Sequence, residues 1–127
     1  MLIGLVEAFE AAPEPVLMKC SGGQDRAGLA AAIFILLKKG WGELQIAQNQ
    51  FARLPYLHFP HRTQGWLEQF PRYVAIRARG RSIGSFIRDE YDPEDFAAWL
   101  RVNNMGDRFS GVFSLPWQPH RNRFRFW

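Results

Sequence analysis

The sequence predicts an α/β chain, mainly helical, with a small or incomplete sheet and a strand–loop–helix core. Three observations predict it. Val16-Leu17-Met18 is a short apolar run after Pro15 and before a glycine pair, the pattern of a buried strand. Gly22-Gly23 marks a tight loop. The stretch from Ala27 to Lys39 is apolar nearly all round, closes on two lysines and meets Gly40, as a central helix with a normal stop does.

The elements follow in order. Leu2, Ile3, Leu5, Val6 and Phe9 recur near helical spacing with Glu7 and Glu10 outside the stripe, and Pro13 and Pro15 stop that helix. After the central helix, Leu44, Ile46, Ala47 and Phe51 mark a second amphipathic helix over Glu43 to Leu54, ended by Pro55. Tyr56 to Gln64 reads as a loop, and Gly65 to Ala78 as helix with Pro71 at a kink or boundary. Ser82 to Glu90 and Pro93 to Val102 read as short helices, the second capped by Asp92 with Pro93 in its first turn. Residues 103–127 look irregular, a basic-aromatic tail ending Arg121-Asn122-Arg123-Phe124-Arg125-Phe126-Trp127. There is no repeat or low-complexity linker, so residues 1–127 form one domain.

Composition narrows the function. Hydrophobic residues make up 47% and aromatics 15%, which argues for a packed globule. Sixteen Lys and Arg against twelve Asp and Glu give +4, a mild preference for anionic ligands. Thirteen of the sixteen are Arg, the residue suited to bidentate phosphate contacts. The single cysteine allows no intrachain disulfide and fits a reducing compartment. No apolar run is long enough to span a bilayer, and the N-terminus shows neither a basic leader nor a cleavage site, so the expected location is cytoplasmic.

Cys20 to Arg26 carries the chemistry. A loop between a strand and an apolar helix can converge its backbone N–H groups on an anion at the helix N-terminus. Ser21, Gly22, Gly23, Gln24, Asp25 and Arg26 would supply that phosphate-binding nest. Cys20 stands at the strand end, where those groups favour its thiolate. Arg26, six positions on, is spaced to fold back and clamp two phosphate oxygens. Nucleophile, nest and clamp are what attack on a phosphomonoester requires. A nucleotide-binding Gly-x4-Gly-Lys-Ser/Thr loop is absent.

This Cys-x5-Arg loop, with Asp25-Arg26-Ala27-Gly28-Leu29 after it, resembles the signature of the protein tyrosine and dual-specificity phosphatase superfamily, bacterial type. More loosely, residues 58–65 and 86–93 resemble later helical segments of such enzymes. The resemblance implies a phosphatase-like fold and hydrolysis of phosphomonoesters through a phosphocysteine intermediate. Cys20 would be nucleophile and Arg26 clamp, with no cofactor or metal. The substrate would be a phosphorylated protein or a small phosphomonoester.

Three departures qualify it. Lys19 stands where the family has His. Ala27 replaces the hydroxyl that helps the thiolate leave the phospho-enzyme, which implies slow turnover. The family's general acid lies further upstream than the nineteen residues before Cys20 reach, and Glu7, Glu10 and Glu14 sit on or just after a helix. The chain thus resembles the C-terminal half of such a phosphatase, whether a truncated reading frame, a fragment or a naturally shortened protein. An acid normally contributes ~10²–10⁴-fold. Asp25 matches the acid in the loop of myotubularin-type inositol-lipid phosphatases; bonding within the loop or capping the helix is the simpler role. Asp92 resembles the downstream acid of low-molecular-weight tyrosine phosphatases, with an N-cap as the simpler role.

The alternative to an enzyme is a non-catalytic phosphate-binding pseudophosphatase or fragment. His58 and His61 lack suitably spaced metal-ligand partners. The tail's alternation suits an edge strand better than nucleic acid. A lone strand needs pairing and the apolar helix needs cover, so a homodimer is expected. If Cys20 is a nucleophile, its alkylation by iodoacetate stays fast below about pH 7 and is blocked by phosphate. A rate that falls away as for an ordinary thiol of pKa about 8.5 removes that assignment.

Overall fold

The computed structural model describes residues 2–21, 25–56 and 65–103. These form α1 (Leu2–Ala11), α2 (Asp25–Lys39), a 3-10 turn (Trp41–Glu43) leading into α3 (Leu44–Asn49), a second 3-10 stretch (Gly65–Gln69) leading into α4 (Phe70–Arg77), α5 (Ile83–Asp89) and α6 (Pro93–Val102). The described arrangement is mostly helical, and among the described residues there is no strand.

That corrects the α/β expectation. Val16-Leu17-Met18 runs without helix or ladder, and Leu17, expected inside, is 93% exposed. Val16 and Met18, on alternate positions, lean partly buried on the core. The apolar run is therefore not the buried strand it was expected to be. A strand needs a partner for its backbone groups, and helices occupy the positions a sheet would take.

Helix α2 is the hub. Its buried Leu29, Ala32, Ile33 and Leu36 face inward, while Ala30, Phe34, Ile35 and Leu37 are partly covered. α1, α3, α4 and α5 all pack against it. These neighbours cover much of its apolar surface. From α1, Val6 and Phe9 are buried, and Phe9 meets Phe34 edge to face at 5.1 Å. Gly40, at φ 79° and ψ −171°, takes a positive-φ conformation that favours glycine where α2 ends, as expected. Gly84 lets α5 approach: a Cβ there would meet Leu37 Cδ1 at 3.1 Å and Glu10 Oε1 at 3.4 Å. Beside it Arg88 donates a hydrogen bond to Glu10, tying α5 to α1. That carboxylate raises the Arg88 pKa further.

The second half closes on aromatic rings. Phe96 is fully buried, with ring centroids of Tyr73 at 4.7 Å, Phe70 at 5.6 Å and Trp66 at 5.9 Å. The helix starts follow the sequence. Ser82 accepts from the Ser85 N–H and Asp92 from the Glu94 N–H, with Pro93 in the first turn of α6. Pro71 marks the start of α4 as a boundary. The second amphipathic helix is shorter than expected and ends at Asn49.

One polar group sits within this half. The Tyr73 hydroxyl donates to Asp95 Oδ2 at 2.8 Å, and Arg77 Nη2 donates to Asp95 Oδ1 at 2.9 Å. Burial, then the Asp95 hydrogen bond and charge, hold Tyr73 well above its ordinary 10.0. Burial, then the Asp92 charge, does the same to Tyr91. Unfolding releases both phenols to ionise near their ordinary value. Their contribution to stability is therefore complete below about pH 10 and is lost as pH rises beyond it. The urea midpoint should fall above about pH 10, and Tyr91→Phe should flatten the fall. A midpoint equally steep in pH for both proteins contradicts the assignment.

Candidate functional site

Helix α2 begins at Asp25, so its N-terminus stands where the sequence placed the loop's end. The extended segment before it brings Cys20 to the same place. Residues 16–21 alternate half-buried and exposed, which turns the Cys20 side chain toward the helices and Lys19 and Ser21 toward solvent. Cys20 is half-buried.

Cys20 and Arg26 line one pocket of about 260 Å³. The extended segment gives it Leu17, Met18, Lys19 and Cys20, α2 gives Arg26, Ala27 and Ala30, and α1 gives Leu5 and Phe9. The lining thus sets Cys20, Arg26 and Lys19 among apolar residues. Arg26 Nη2 donates to Ser21 Oγ at 2.5 Å, so the guanidinium folds back across the loop as a clamp would. Arg26 lies in the first turn of the 15-residue α2 beside Asp25, and a helix start of this kind favours an anion near it.

The other expected residues divide. Gly22, Gly23 and Gln24, the middle of the nest, lie outside the described residues. Asp25 opens α2 but does not line the described pocket wall, which holds no carboxylate. The upstream acids are engaged elsewhere: Glu10 with Arg88, and Glu14 with Lys38 at 3.7 Å. Asp92 is the N-cap of α6. His58, His61 and the tail from 104 onward fall outside the described residues. Among the described residues no cluster of His, Cys, Asp and Glu could hold a metal, and no helix is long and apolar enough to cross a membrane.

Sequence reasoning missed two features. One is the contribution of α1: Leu5 and Phe9 read as ordinary core stripe, and nothing local signals that they reach the loop. The other is a second pocket, about 360 Å³, lined by Tyr73, Arg77, Arg79, Phe86, Glu90 and Asp95. Much of its charge is internally matched, Arg77 to Asp95 at 2.9 Å and Glu90 to Arg81 at 2.7 Å, so it is the weaker anion site. No family model, curated protein or solved structure matches the chain.

Proposed function

We propose that the chain is a cysteine-dependent phosphatase of low turnover, acting on a phosphomonoester held between Cys20 and Arg26. The observation that supports this reading most is their convergence on one pocket at the start of α2, with Arg26 already folded back to Ser21. In this reading the Cys20 thiolate attacks phosphorus, an S–P bond forms, the ester P–O bond breaks and the alcohol leaves, its oxygen taking a proton from water. Arg26 holds two non-bridging oxygens as charge gathers on them. Water then attacks the phosphocysteine, releasing phosphate and restoring the thiol.

One observation favours a second reading, phosphate binding without turnover. Ala27 occupies the pocket wall where a hydroxyl would assist the second step, and the described wall offers no acid for the leaving oxygen. Both readings share the anion site and differ only in chemistry.

Phosphate release from an aryl phosphate, wild type beside Cys20→Ser, separates them. Release abolished by Cys20→Ser is expected, and Ala27→Ser should raise it. Arg26→Ala should weaken phosphate binding roughly tenfold or more, while Arg72→Ala, on exposed surface of α4, should not. Binding that needs Arg26 without any release supports the second reading. Equal losses from both arginines point to diffuse charge and overturn the site.

A further inference from the structure

The second cavity, about 360 Å³, lies where the ends of α4 and α5 meet the first turn of α6, and it shares no residue with the Cys20 pocket. Both of its carboxylates are engaged. Asp95 accepts from the Tyr73 hydroxyl at 2.8 Å and from Arg77 Nη2 at 2.9 Å, and Glu90 pairs with Arg81 at 2.7 Å. Donors are left over. Arg77 Nε is shielded from water without an acceptor, and the Arg79 side chain, which also lines the cavity, makes no ion pair or hydrogen bond among the described residues. With Arg81 counted beside its partner, three arginines stand against two carboxylates, one positive charge in excess. Arg79 is also held in strain. The turn over residues 78–81 is closed by the Arg81 N–H on the Ala78 carbonyl at 2.9 Å, with Arg79 at φ 50° and Gly80 at φ 83°. Glycine takes that left-handed region freely and arginine seldom does. What arginine adds at position 79 is a guanidinium at the cavity.

We propose that this cavity is a binding site for a small carboxylate monoanion, held by Arg79. A carboxylate brings two acceptor oxygens to a cavity short of acceptors, and its plane matches the paired N–H donors of a guanidinium. Charge selects it over phosphate. One negative charge cancels the excess, whereas a phosphate dianion would leave a surplus beside Glu90 and Asp95. Tyr73 and Phe86, nearly fully buried rings 6.2 Å apart, also line the cavity, and apolar surface beside the pair leaves its attraction less screened than in open water.

Acetate tests this by NMR. It is titrated into the isotope-labelled full chain, replacing chloride at constant ionic strength, and inorganic phosphate is titrated likewise at a pH where it is dianionic. Acetate should shift the Gly80 and Arg81 amide signals saturably. Arg79→Gly and Arg79→Asn, both tolerant of the left-handed region, should weaken that binding roughly tenfold or more while keeping the wild-type melting temperature. Arg72→Ala, on exposed surface of α4, should leave it unchanged. Shifts that grow linearly with acetate overturn the site, and saturable binding that survives both Arg79 variants overturns the role of Arg79. Phosphate binding more tightly than acetate at Gly80 overturns the carboxylate assignment. Binding lost only together with a fall in melting temperature makes Arg79 a structural residue and overturns the proposal.

Discussion

Between its charged ends, α2 carries no charged side chain from Ala27 to Leu37, so water is a poor neighbour on any side of it. Burying a large aliphatic side chain such as Leu29, Ile33 or Leu36 is worth about 1.5–3 kcal/mol. α1, α3, α4 and α5 each lay an apolar stripe on this one helix. The short helices would be marginal alone, and their packing on α2 supplies what local propensity does not. Gly84 and the Arg88–Glu10 pair hold α5 and α1 together beside it. The demand to cover α2 thus organises the described fold.

The same demand positions the candidate site. Because α1 packs on α2, the connection between them must return to the start of α2, and it does so extended, with Met18 leaning on the core and Cys20 facing the helices. The side chains that α1 uses to bury α2 also form the pocket's floor, so core and site share Phe9. The place of Arg26 depends on where α2 starts. Moving that start by one residue would rotate Arg26 by about 100° and take its guanidinium away from Ser21.

What was legible in the sequence follows from what is local. Helix ends were legible because Asp92, Pro93 and Gly40 act within one turn of themselves, and each does so as expected. The central place of α2 was legible because an all-round apolar helix has few other solutions. That Cys20 and Arg26 lie near one another follows from a separation of six residues, and both line one pocket. The sheet was not, since an apolar triplet shows only that a segment is extended, and pairing depends on segments far away. The part of α1 in the pocket was hidden for the same reason: Leu5 and Phe9 carry a helical stripe, and a stripe does not name its partner.

Among the described residues the arrangement is mostly helical, which departs from the α/β architecture the resemblance implied. A thiolate, a guanidinium and converging N–H groups need a bend in the chain and a helix start, and neither requires a β-ladder beneath them. A sheet contributes rigidity: it holds the nucleophile by hydrogen bonds on both sides. Here Val16 and Met18 lean on the helical core, and Arg26 donates to Ser21. Looser support costs more for catalysis than for binding, because reacting atoms must be held within a fraction of an ångström, whereas an anion tolerates small shifts among its donors.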